Sequence, residues 1–154
     1  PEMITMPVGV CSFDLNNLRR INNSMGHEKG DAYIRIFAEL VREAVPAHYF
    51  VGRAGGDEFI AIMDGADKEE MQRCLQLIRD RVDAYNAANP DFPVSYAVGI
   101  SVSDENENYT MRDLYILADK NMYINKNHVK REEALAEKKL DRRLLKSMKK
   151  YGKI

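Results

Sequence analysis

The chain has 154 residues, 45% of them hydrophobic and 31% charged, with a net charge of −1 at pH 7. That length supports one domain burying roughly two-thirds of its unfolded surface, and the composition excludes a disordered, collagen-like or disulfide-stapled chain. Neutrality hides a split: residues 131–154 carry 9 Lys/Arg against 4 Asp/Glu, and residues 1–130 carry 14 against 20, an acidic body that argues against a nucleic-acid partner.

Met6 to Phe13 is an apolar run (Val8, Val10, Cys11, Phe13) ending at Asp14, which predicts a buried strand. Leu18, Ile21 and Met25 are spaced for a short helix, broken at Gly26-His27-Glu28-Lys29-Gly30. A second helix is expected from about Asp31 to Val45, with Ile34, Phe37, Ala38 and Val41 on one face and Pro46 as its stop. His27, beside a glycine and before that helix, reads as a structural hydrogen-bonding residue.

Next come two strand-like runs, Tyr49-Phe50-Val51 and Phe59-Ile60-Ala61-Ile62-Met63, joined through Arg53-Ala54-Gly55-Gly56-Asp57-Glu58. The Gly55-Gly56 pair predicts a tight hairpin turn, because such turns need positive φ and glycine reaches it without strain. Asp57 and Glu58 then stand at the lip of a ribbon. Acids beside turn glycines suit a divalent metal and a phosphate-bearing ligand, or are simply solvated charges at a hairpin end.

Asp67-Lys68-Glu69-Glu70 resembles a capping box opening a helix with Met71, Leu75, Ile78, Val82 and Tyr85 inward, ended by Asn89-Pro90. Val94 to Val102 predicts a strand broken by Gly99, and Thr110-Met111-Arg112-Asp113 opens a last helix with Leu114, Leu117, Ala118 and Met122 inward. The order βααββαβα predicts an α+β fold, one sheet with helices packed on it. Cys11 and Cys74 sit in apolar stretches and read as reduced core residues, which fits a cytoplasmic location. No signal peptide, membrane-spanning run or lipidation motif is visible, and the abrupt start reads as a piece excised from something larger.

Three more clusters line up with the hairpin: Phe13-Asp14-Leu15-Asn16-Asn17-Leu18-Arg19-Arg20-Ile21-Asn22, Gly26-His27-Glu28-Lys29-Gly30-Asp31, and Ala118-Asp119-Lys120-Asn121-Met122-Tyr123 with Lys126. In this order and spacing, residues 6–130 closely resemble the GGDEF domain family of bacterial diguanylate cyclases. The resemblance implies a palm-like, mostly antiparallel sheet flanked by helices, akin to nucleotidyl cyclases. It implies condensation of two GTP into cyclic di-GMP and pyrophosphate, with Mg²⁺ or Mn²⁺, by a homodimer whose members each bring one GTP. It also implies an upstream sensory domain. A non-catalytic GTP-binding module that regulates a partner is the rival reading.

By that resemblance Asp14 and Asp57 are the metal carboxylates and Leu15 adds its backbone carbonyl; Mg²⁺ takes hard oxygen ligands and needs few from the protein. Glu58 assists catalysis, at the metal or by helping deprotonate the ribose 3′-hydroxyl. Asn22 and Asp31 match the guanine-reading pair: a carboxylate accepts from the guanine N1–H and amine, an amide faces O6. Relatives that also accept ATP depart at the Asp31 position, so GTP is favoured. Alone, Asn22 and Asp31 read rather as a helix-end residue and an N-cap. Phosphates fall to the backbone N–H groups of Asn17 and Leu18, to Arg19 where the family has lysine, and to Lys126 and Lys130 four apart on one helix face. Solvated surface lysines are the plain alternative for the last two.

Departures are also visible. The family's Asp-x-Leu-Thr-Gly-Leu-x-Asn-Arg segment does not precede the first strand, Asn16 replaces a common aspartate, and Val129-Lys130-Arg131 replaces Gly-Arg-Asn. Pro46-Ala47-His48-Tyr49 stands in place of the Arg-x-x-Asp inhibitory site, so no tight product inhibition there is expected. Residues 131–154 form a separate basic segment with Leu140, Leu144, Met148 and Tyr151 at helical spacing. It is expected to pack on its own domain or fray, with pairing to another copy or contact with an anionic membrane as alternatives.

Overall fold

The computed structural model describes residues 7–103 and 109–150, so Met6 and Tyr151 lie outside the described residues. Four strands, β1 (Val8–Leu15), β2 (Phe50–Gly55), β3 (Glu58–Asp64) and β4 (Tyr96–Val102), form one antiparallel sheet in the order β2-β3-β1-β4. The helices are α1 (Leu18–Met25), α2 (His27–Ala44), α3 (Lys68–Ala88) and α4 (Met111–Lys150). The expected order βααββαβα is observed.

Strand β1 is buried along its whole length because helices cover both faces of the sheet. Cys11, Phe13 and Leu15 point with Phe59, Ala61 and Met63 into the main core, against Tyr33, Phe37 and Val41 of α2 and Met71, Cys74, Ile78 and Val82 of α3. Phe37 is its hub, with ring centroids 5.2 Å from Phe59, 5.3 Å from Tyr96 and 5.8 Å from Phe13. The alternate residues Val8 and Val10, with Ile60 and Ile62, meet Leu114 and Ala118 of α4 in a smaller core. Strand alternation therefore carries Ser12 and Asp14 onto the α4 side of the sheet.

Four expectations need correction. Helix α2 begins at His27 rather than Asp31, since Gly26 at φ 91° both ends α1, through its N–H to the Asn22 carbonyl, and starts α2. Gly30 is therefore helical and buried, and Asp31 lies inside the helix rather than at its cap. The hairpin closes one residue later than expected: Gly55 is the last residue of β2 and pairs with Glu58, leaving Gly56-Asp57 as the link, with a bulge between Arg53 and Gly55. Neither Gly55 nor Gly56 is left-handed, so positive φ does not explain them; a Cβ at either would meet nothing within 4 Å.

Gly99 does not break its strand. It lies inside β4 opposite Ser12, where a Cβ would strike the backbone of Met122, Ala118 and Asn121 in α4, so its role is close helix–sheet contact. The last correction is in the tail. Helix α4 runs unbroken for 40 residues, and positions 131–150 are exposed throughout rather than packed on the domain. The capping expectations hold: the Asp67 carboxylate accepts the Glu70 N–H at 2.9 Å, and Thr110 and Asp113 cap each other reciprocally.

Candidate active site

The site lies where β1 ends beside the β2–β3 turn. Asp14 and Glu58 are direct cross-strand partners, so their side chains leave the same face of the sheet. Asp57 sits in the turn, and its carbonyl accepts the Leu15 N–H at 2.8 Å, which ties the turn to the end of β1. Helix α4 crosses above: Asn121 Nδ2 donates to the Ile100 carbonyl at 2.8 Å, Asn125 Oδ1 accepts the Val98 N–H at 3.2 Å, and Ser12 Oγ donates to Asp119 Oδ1 at 3.2 Å. That placement carries Lys126 over Asp14, with Nζ 2.6 Å from Oδ2.

The other oxygen of Asp14, Oδ1, is buried and has no hydrogen-bond partner. A buried carboxylate oxygen left unpaired is costly, and a cation is the ligand that satisfies it. Burial, then the Asp14 charge beside it, raises the Asp57 pKa. Burial, then Asp119, Asp14 and Asp57 in turn, raises that of Glu58. Burial depresses the Lys126 pKa, but the hydrogen bond and charge of Asp14 outweigh it and leave it raised. Asp14, Asp57 and Glu58 thus share the one ammonium of Lys126, an excess of negative charge suited to a divalent ion.

The donor set fits such an ion in a particular way. Among the described residues, no three His, Cys, Asp or Glu side chains converge to cage a metal. Two carboxylates with an open face are what Mg²⁺ uses when ligand phosphates and water complete its shell.

Beside the carboxylates is a cavity of about 270 Å³ lined by Leu15, Asn17, Leu18, Arg19, Asp57, Lys126 and Lys130 from among the expected site residues. Asn17 holds the entry to α1 at φ 71°, a left-handed conformation that asparagine tolerates better than most residues. Its side chain makes no cap, so the first-turn N–H groups have no intrahelical acceptor and are available to an anion. Asn22 and Asp31 do not line this cavity. Asn22 packs its side chain over Gly30, where a Cβ would lie 1.7 Å from Oδ1. Asp31 borders a second, shallower hollow with Met25, Glu28 and Lys29.

Several site residues escaped the sequence reading. Ser95 and Glu133 also line the cavity, and Asp119, named in its cluster but given no role, lies close enough to Glu58 for its charge to raise that pKa. The Tyr33 hydroxyl bonds the carbonyls of Asn16 (2.8 Å) and Ser95 (3.2 Å) and accepts the Ser95 N–H, holding the loop from below. A tyrosine on the apolar face of α2 was the available signal for it; Ser95, in an irregular stretch, offered none.

The family described as "Diguanylate cyclase, GGDEF domain" matches residues 3–132, and the chain belongs to it. A diguanylate cyclase of Vibrio cholerae is 27% identical over 122 residues, covering 79% of this chain and 38% of that protein. The diguanylate cyclase DosC of Escherichia coli K12 is 32% identical over 123 residues, covering 78% and 26%. The chain thus spans well under half the length of these relatives. Among solved structures, the active GGEEF domain of a V. cholerae diguanylate cyclase aligns with a TM-score of 0.71 at 27% identity, covering 80% of this chain and 78% of that one. An EAL/GGDEF domain protein from M. capsulatus aligns at 0.67 with 34% identity, covering 80% of each.

Proposed function

We propose that the chain condenses two GTP molecules into cyclic di-GMP and pyrophosphate as a homodimer, each copy holding one GTP. The observation that carries this reading is the orphaned Asp14 Oδ1, in a carboxylate that is held by Lys126 and raises the pKa of Asp57, two residues that line a cavity with Arg19, Lys130 and the start of α1. Asp14, Asp57 and the Leu15 carbonyl would hold Mg²⁺ or Mn²⁺, whose chemistry is to offset triphosphate charge and acidify the attacking hydroxyl. Lys126 occupies only Oδ2, so ammonium and metal can share the carboxylate.

Helix α1 sets the span of the nucleotide. Its N-terminus, with Asn17, Leu18 and Arg19, lines the phosphate cavity, and Met25 at its C-terminus borders the hollow beside Asp31. Eight residues make about 12 Å of helix, a length that lets triphosphate and base lie at opposite ends. Asn22 and Asp31 read the guanine; adenine would leave the carboxylate unpaired, and such a mismatch discriminates strongly. In the reaction the 3′-oxygen of one GTP attacks the α-phosphorus of the other, and the bond to pyrophosphate breaks. Glu58, with its raised pKa, receives the hydroxyl proton.

Calorimetric titration of GTP tests the site directly. Mg²⁺ is expected to tighten GTP binding to the wild-type chain and to have no effect on Asp14→Asn. Equal Mg²⁺ dependence in both would remove Asp14 from the metal site. GTP binding without turnover by paired chains would favour the regulatory module instead.

A further inference from the structure

Past Glu133, which lines the nucleotide cavity, α4 stays exposed to residue 150, and nothing in the nucleotide site accounts for the chemistry of residues 138–150. Leu140, Leu144, Leu145 and Met148 are 54–57% exposed, so no described part of the domain covers them. Soluble proteins seldom leave a helical row of large apolar side chains bare without a use for it.

The segment 138–150 is sorted by angle. At 3.6 residues per turn, all seven basic residues, Lys138, Lys139, Arg142, Arg143, Lys146, Lys149 and Lys150, fall within an arc of about 140°. Leu140, Leu144 and Met148 fall on the opposite side, with Leu145 at its edge. Asp141 is the segment's one acid; it lies between Met148 and Leu145, within i,i+3 reach of Lys138. Basic side chains bound both edges of the apolar arc, where their long stems can reach past it to a charged plane.

We propose that residues 138–150 dock flat on an anionic lipid leaflet, with Leu140, Leu144 and Met148 in the acyl boundary and the basic arc on the headgroups. Charge complementarity favours this occupant. A second copy is disfavoured, because thirteen residues give fewer than two heptads and place seven cations against seven. Nucleic acid would use the basic arc but has no call for the apolar one. Among the described residues no helix is long and apolar enough to cross a membrane, so the contact is interfacial. The inference does not depend on the cyclase reading.

The test is co-sedimentation of the 154-residue chain with vesicles of phosphatidylcholine, alone or mixed with phosphatidylglycerol. Binding is expected to the mixed vesicles and not to the neutral ones, and to weaken with salt. Arg142→Ala with Lys146→Ala should lower partitioning about 30-fold, since each basic residue near such a surface contributes about 1 kcal/mol. Leu140→Ser with Leu144→Ser should abolish binding at unchanged charge. Neither pair should shift the melting temperature, because all four side chains are exposed. Equal binding to both vesicle types, or binding to neither by a folded chain, would overturn the proposal. So would a lipid-free dimer that the leucine variants dissociate.

Discussion

Gly99→Ala is the sharpest test of how the sheet positions α4. A Cβ there would lie 2.0 Å from the Met122 nitrogen, 2.2 Å from the Ala118 carbonyl oxygen and 2.6 Å from the Asn121 carbonyl carbon. All three are backbone atoms, so no rotamer change relieves the clash. Ordinary contact begins at 3.4 Å, so the helix must withdraw by about 1.4 Å. Overpacking typically costs about 1–3 kcal/mol. Because the buried Leu114, Ala118 and Met122 move with the helix, a loss near ~3 kcal/mol is expected, lowering the melting temperature by about 6–12 °C. The same withdrawal lifts Lys126 from Asp14, so GTP affinity should fall with stability. Urea unfolding followed by circular dichroism measures the first, and titration of GTP the second. A loss below about 0.5 kcal/mol would refute the close-contact reading, because the typical overpacking range starts higher.

Gly30→Ala should act on Asn22 instead: its Oδ1 is the far end of a flexible side chain and can yield, so stability should change by less than about 1 kcal/mol. GTP affinity should drop about tenfold, as expected for losing about one good hydrogen bond to the base; unchanged affinity would take Asn22 out of base recognition. Asp57→Asn should raise the melting temperature of the metal-free protein at neutral pH. The raised pKa values of Asp57 and Glu58 mean that the folded state binds protons more tightly than the unfolded chain. This contribution to stability therefore falls as pH rises from the ordinary carboxyl range through the raised values, and the penalty is full above them. Mg²⁺ should stabilise the wild type and leave the variant unmoved; scanning fluorimetry against pH, with and without Mg²⁺, reads both, and a less stable variant at neutral pH would contradict the assignment. Asp67→Ala should cost about 1 kcal/mol by removing the α3 cap, measured by urea unfolding.

How much was legible in the sequence depended on range. Local signals read well: the Asp67 cap, the apolar stripe of α3 and the apolar run of β3 each involve residues within one element. Gly26 and Gly30 were read together as a break because two glycines four residues apart weaken a helix. Only tertiary contact, Gly30 against Asn22, makes the second a helical residue. The hairpin register slipped by one because a bulge between Arg53 and Gly55 cannot be counted from composition. Lys126 was read as a triphosphate grip, and its pairing with Asp14, 112 positions away, follows only from how α4 crosses β4. The tail's stripe was visible, but that Leu140, Leu144 and Met148 stay exposed was not.

The most direct measurement is incubation of the purified chain at high concentration with Mg²⁺ and either GTP or ATP, with products separated by chromatography. The account predicts cyclic di-GMP from GTP, none of the adenine analogue from ATP, and no product from Glu58→Ala. A folded, dimeric chain that binds GTP without Mg²⁺ dependence and forms no cyclic dinucleotide would contradict it.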